Sequence, residues 1–236
     1  MTQTQIAAPA NSQPRYDIYM AIHKALRAYM SETLEVLGRM DIEDAGEFAA
    51  ALAQVRELLD ICEGHLLHEN RFVHAAMEQR QPGSAAHIAA EHVDHERDIE
   101  QLRYVVDALE ASSGLQRRVL ALGLYREAAL FIAHNFEHMQ REESDHNAVL
   151  WSVYSDAELI ELEAALKASI PPQEMAIIAR WMLTANDHAF RVAMLSGARA
   201  HAPAPVFDML LAIAKSNLCE GGWRKLANAL ELPVAA

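Results

Sequence analysis

His65-Leu66-Leu67-His68-Glu69 and His138-Met139-Gln140-Arg141-Glu142 stand 73 residues apart and share a His-x-x-x-Glu spacing. On an α-helix, residues four apart lie about 40° round from one another, so each histidine aims with its glutamate. Such a pair is common on solvated helix faces. Here the neighbours argue otherwise. His65 sits among Leu58, Cys62 and Phe72, and His138 lies in line with Leu120, Leu124, Phe131 and His134. Imidazole and carboxylate groups aimed into apolar surroundings cost on the order of several kcal/mol unless they are paired or bind a metal.

The repeat extends outward from these pairs. Ala75-Ala76-Met77 answers to Ala148-Val149-Leu150, and His23 answers to His92 (69 residues on) or His95 (72 residues on). Each half is therefore a helix with one inward histidine, followed by a helix with an inward His-x-x-x-Glu. Two such halves about a pseudo-twofold axis assemble four histidines and two carboxylates, both able to bridge two metals. Helical bundles build dimetal carboxylate sites from facing helices in this way. Imidazole and carboxylate donors without cysteine suit iron or manganese better than a closed structural zinc site. The spacing leaves His92 against His95 open. His134 reads as a further ligand or a group behind the ligands. His68, His74, His87 and His146 read as peripheral, and Glu91, Glu96 and Glu143 as solvated, with Glu143 a second choice of bridge. Cys62 reads as a small apolar core residue.

Punctuation divides the chain into long helical segments. Residues 16–40 carry the stripe Tyr16, Tyr19, Leu26, Met30, Leu34 and Leu37, the i, i+3, i+4, i+7 signature of a helix with one buried face. Residues 41–44 turn, and 45–79 form a second helix. Gln81-Pro82-Gly83-Ser84 stops it and caps a third over 85–111. Ser112-Ser113-Gly114 ends that one, and a fourth spans 115–150. Four long helices joined by short turns predict an up-down-up-down four-helix bundle. Beyond Trp151, Ser155 and Glu158 form a capping box, and Pro171-Pro172, Pro203, Pro205 and Gly221-Gly222 cut the rest into about four shorter helices. The expected fold is all-α: a flexible start (1–15), a bundle (16–152) and a small C-terminal helical subdomain (153–236).

Composition removes several function classes. The 236 residues are 52% hydrophobic and 22% charged, which excludes a disordered chain. Lys and Arg number 20 against 33 Asp and Glu, for a net charge of −13. Such a chain lacks the basic footprint with which nucleic-acid and anionic-membrane binding begin. No apolar run reaches the roughly 18 residues of a membrane span, and the first dozen residues do not read as a secretory signal. Two cysteines far apart, Cys62 and Cys219, point to a reducing cytoplasm. Of 12 histidines, nine fall between His65 and His146, which centres the chemistry on the middle of the chain.

The runs Ile22-His23-Lys24-Ala25-Leu26-Arg27, His65 to His74, Glu91-His92 and His138-Met139-Gln140-Arg141-Glu142-Glu143 resemble the hemerythrin-like, His-His-Glu cation-binding domain over about residues 16–150. The resemblance implies a non-haem di-iron centre, oxo- or hydroxo-bridged, that binds dioxygen, peroxide or nitric oxide. It assigns His23, His65, His92 or His95, and His138 as terminal ligands and Glu69 and Glu142 as bridges. Oxygen-carrying members place two histidines four apart on the third helix, whereas His92 and His95 are three apart. Ala75 and Ala148 stand where prolines are frequent in the family. The tail, with Ser169-Ile170-Pro171-Pro172 and Trp181-Met182-Leu183, is similar to an extension of some bacterial members. The reading leans to a protein that binds, senses or scavenges a small molecule, or handles iron, rather than to an enzyme. The alternative is a di-iron oxidase, peroxidase or iron–sulphur repair protein, the last weakened because residues 1–15 hold no cysteine.

Overall fold

The computed structural model describes residues 14–232, so the expected flexible start lies almost wholly outside the described residues. Four rods form the body: α1 (Met20–Arg39), α2 (Ala45–His68), α4 (Ala86–Glu110) and α5 (Gly114–Arg141). α1 packs on α2 and α5, and α4 packs on the same two, closing a ring of antiparallel neighbours. The buried positions explain that packing. On α1 they include His23, Leu26, Met30, Thr33 and Leu37, and on α5 Leu124, Ala128, Phe131, Asn135 and His138. Alternating steps of three and four make a seam of period 3.5, which packs helices about 20° off antiparallel. Asp17 accepts the Tyr19 and Met20 backbone N–H groups, so α1 begins several residues later than the apolar stripe suggests. Asp44 caps α2 through Gly46 and Glu47.

The second and fourth segments are helical throughout but not uniformly wound. A π-helical turn, Glu69–His74, separates α2 from α3 (Ala75–Arg80), and a second, Glu142–His146, separates α5 from α6 (Asn147–Val153). Both open at the glutamate of a His-x-x-x-Glu pair. In an α-helix, residues five apart lie about 140° round from each other; the wider i→i+5 turn brings them nearly into line. Each turn therefore re-aims the residues that follow its glutamate toward the bundle interior.

Among the described residues the tail holds five helices: α7 (Asp156–Ser169), α8 (Pro172–Ala185), α9 (His188–His201), α10 (Ala204–Asn217) and α11 (Glu220–Ala229). The Ser155–Glu158 capping box is formed with both of its arms. α8 lies along α1, with the Trp181 ring stacked on Tyr29 at 4.3 Å and Met182 in the main core. Its other face joins Leu195, Leu210 and Leu226 in a second core. Among the described residues there is no strand, and no helix is long and apolar enough to cross a membrane.

Candidate metal centre

Four rods bring six donors to one level of the bundle. His23 comes from α1, His65 from the last turn of α2, His92 from α4 and His138 from α5, while Glu69 and Glu142 open the two π turns. The first group is His23, His65, Glu69 and Glu142; the second is Glu69, His92, His138 and Glu142. His23 Nε2 is 3.7 Å from Glu69 Oε1 and 3.5 Å from Glu142 Oε2, and His65 Nε2 is 3.2 Å from Glu69 Oε1. On the other side His92 Nε2 is 3.6 Å from Glu69 Oε2 and 3.7 Å from Glu142 Oε1, and the His92 and His138 Nε2 atoms are 3.1 Å apart. Two donors bound about 2.1 Å from one ion stand about 3.0 Å apart at a right angle and about 3.4 Å apart in a tetrahedron. The observed separations lie within or a few tenths of an ångström above this range, and each carboxylate takes part in both groups of donors.

Burial makes the case stronger. Five of the six residues are at most 2% exposed, and the His65 side chain is 15% exposed. Both oxygens of Glu69 and of Glu142, and Nε2 of His23 and His65, have no hydrogen-bond partner. Buried groups left so cost about 1–3 kcal/mol each, and more when charged. Burial, with Glu142 opposite, pushes the Glu69 carboxyl up to about 8, and burial drives Glu142 well above the usual carboxylate range. His65 and His138 are driven down by burial and by neighbouring imidazoles, which leaves them neutral and able to donate lone pairs. Two buried carboxyls that cannot ionise without a compensating charge, beside neutral His65 and His138, fit bound cations.

The ring nitrogens that face away from the centre are held by Glu143 and Glu91, both expected to be solvated, and by Asn70. Glu143 lies 3.0 Å from His23 Nδ1 and takes an Arg27 hydrogen bond at 2.5 Å. Burial raises the Glu143 carboxyl, but the His23 and Arg27 hydrogen bonds outweigh it and hold the group below its ordinary range. Burial lowers His23, yet the contacts with Glu143 and Glu69 leave it raised. Glu91 lies 2.8 Å from His138 Nδ1 and is braced by Arg141; Asn70 Oδ1 lies 2.8 Å from His92 Nδ1. Partners of this kind fix the orientation of a metal-bound histidine.

The remaining histidines sort clearly. His92 belongs to the donor level, whereas His95, one seam step further along, contacts Asn135 and the edges of His138 and Phe131 and joins no donor group. His134, expected on the inner face, is exposed because the seam runs through Phe131, Asn135 and His138. His87 is peripheral as expected, its side chain 77% exposed. His74 and His146 are not: both are buried and group with Glu142. His68 is also buried, between Ser169 and Glu174 of the tail. The ordinary helical period hides His74 and His146, since the π turns bring them inward; a histidine four or five residues beyond each glutamate was the available signal.

Beside the first half lies a cavity of about 460 Å³, lined by Ile22, His65 and Glu69 on the bundle side and by Met175, Ile178 and Met194 on the α8–α9 side. A family model, the hemerythrin HHE cation-binding domain, matches residues 15–147. The comparison with curated proteins and that with solved structures find no match.

Proposed function

Since the chain belongs to the hemerythrin HHE cation-binding family, we propose that it is a non-haem di-iron protein that binds or senses dioxygen, peroxide or nitric oxide, or handles iron. His23 and His65 would hold one ion, His92 and His138 the other, with Glu69 and Glu142 bridging. The observation that carries this reading is the pair of buried carboxylates, unpartnered and flanked by four buried or nearly buried imidazoles. Bound iron would supply the redox chemistry. The protein's part is geometric and electrostatic. Glu143, Asn70 and Glu91 hold Nδ1 atoms so that Nε2 lone pairs point at the centre. Glu69 and Glu142 offset part of the cationic charge, and the surrounding core limits water. His65 is the donor with an open side, so the small molecule approaches there. Residues 16–152 carry the centre in this proposal, and the helices α7 to α10 of the 153–236 extension wall its approach. Two free cysteines, Cys62 buried and Cys219 exposed, suit a reducing cytoplasm.

Iron analysis of the purified protein, with optical spectra before and after addition of nitric oxide, tests the reading. About two irons per chain with a spectral response supports it; a folded protein that takes up no iron refutes it. The cavity favours a second reading, a di-iron oxidase acting on an apolar organic molecule held beside His65. Substrate-dependent dioxygen consumption by the iron-loaded protein would distinguish the enzyme from the binder.

A further inference from the structure

Tyr19, His74 and His146 form a polar cluster beside Glu142, and the binuclear arrangement uses none of the three. His74 is 5% exposed and His146 2% exposed, deep in a region otherwise filled by Val73, Met77 and Leu150. Their rings meet edge to face at 5.2 Å, and no hydrogen bond joins them. Both ring nitrogens of His74 and Nε2 of His146 have no partner. A core needing only bulk at these positions would be better served by leucine, because a buried ring nitrogen left without a partner loses its hydrogen bonds to water and gains none in return. A core histidine kept for its hydrogen bonds would be making them.

One atom of the cluster is held. His146 Nδ1 lies 3.0 Å from the Tyr19 hydroxyl. When Nδ1–H donates to that oxygen, the Nε2 lone pair is free and pointed away from Tyr19. This is the relation that Glu143 has with His23 and Glu91 with His138: a partner on the far nitrogen that sets tautomer and ring orientation for a ligand. One ring nitrogen each of His74 and His146 and a carboxylate oxygen of Glu142 lie within 4.8 Å of one another. That spacing admits a single ion among three donors. The π turns give the cluster its cause, since Glu142–His146 and Glu69–His74 deliver both histidines to this side of Glu142.

We propose that His74, His146 and Glu142 form a third cation site, contiguous with the binuclear centre, for a divalent first-row ion such as Fe²⁺ or Zn²⁺. Two imidazoles and one carboxylate leave coordination positions open, so the ion is more weakly held than the central pair. It is a site for an ion in transit to or from the centre, or for a catalytic or redox neighbour of it. The proposal shares Glu142 with the binuclear reading but rests on donors that reading leaves idle.

Zinc titration of the full-length metal-free chain, followed by native mass spectrometry, tests it. The wild type should take up three zinc ions, and His74→Ala/His146→Ala two. Tyr19→Phe should keep three sites and weaken the last to fill by about 10-fold or more. Zinc-edge anomalous diffraction from wild-type crystals gives a check that needs no variant, with a peak expected between the His74 and His146 rings. Saturation of the wild type at two ions, no peak at that position, or loss of a central ion in the double variant each overturns the third site. Absence of peaks between Glu69 and Glu142 with a peak at His74 and His146 would instead refute the binuclear centre and leave this site standing.

Discussion

His23 in the first half and His92 in the second are each held through Nδ1 by the residue after the glutamate that opens the π turn of the opposite half, Glu143 and Asn70 respectively. The two halves thus lock each other's donors, and up to this point they are alike. They part at the residue before each of these histidines. In the second half it is Glu91, which reaches His138 and is braced by Arg141. In the first half it is Ile22, and among the described residues no carboxylate or amide holds the far side of His65; the ring and Ile22 instead line the cavity under the tail. His138 is braced by ionic contacts, and His65 is left open on an apolar face. Under the proposed function, the second half anchors and the first admits the ligand.

The largest effects should come from what the halves share. Glu69→Ala and Glu142→Ala should each reduce the central pair from two irons to at most one, because one carboxylate reaches both groups of donors. Retention of two irons with unchanged spectra in either variant, read by iron analysis and absorption, would break the pairing. Next come the residues that hold the donors from behind, with Ile22 and Glu91 as the pair in which the halves differ. Glu91→Gln and Glu143→Gln should weaken iron binding by about 10–100-fold, measured by competition with a chelator, whereas Ile22→Val should shift it by less than about twofold. Equal effects at Ile22 and Glu91 would erase the contrast.

Acidity offers a third test, on the metal-free protein. Glu69 has a folded value of about 8, above its ordinary 4.5, so its stabilising contribution is complete below pH 4.5 and is lost as the pH rises toward 8. His74 in the first half, and His92, His95 and His146 in the second, are pushed down by burial to about 4. The unfolded chain takes up protons below pH 6.5 that these folded groups refuse, so stability also falls from pH 6.5 toward 4. Each limb slopes by at most about 1.4 kcal/mol per pH unit for each group. Thermal midpoints across this range should show both limbs without metal, and iron should flatten the alkaline one by keeping the carboxylates ionised. An alkaline limb unaffected by iron would separate the carboxylates from the metal. The smallest effect concerns access: Met194→Trp, filling the cavity beside His65, should leave iron content unchanged and slow nitric oxide binding by about 10-fold in stopped-flow mixing. An unchanged rate would place the approach elsewhere.

Much of this was legible in the residues. The 73-residue repeat, the helix stripes and the Ser155 capping box each announce a feature that formed, because each depends on local periodicity or on a contact three residues away. His74 and His146 escaped because a π turn changes the period at the point where the site lies, and the amino-acid pattern around it reads as ordinary helix. Glu91 and Glu143 looked solvated because their partners, His138 and His23, are on other helices. His134 misled for a related reason: it is one turn before His138, but a seam alternating steps of three and four passes through Asn135 instead. Trp181 and Met182 belong to the bundle core as well as to the tail, a tertiary choice that the prolines marking the tail's helix ends do not reveal.

Iron-edge anomalous diffraction from crystals of the iron-loaded full chain reads the centre directly. Two peaks are expected between Glu69 and Glu142, one beside His23 and His65 and the other beside His92 and His138. A single peak there, or iron bound only elsewhere in the folded protein, would contradict the binuclear centre.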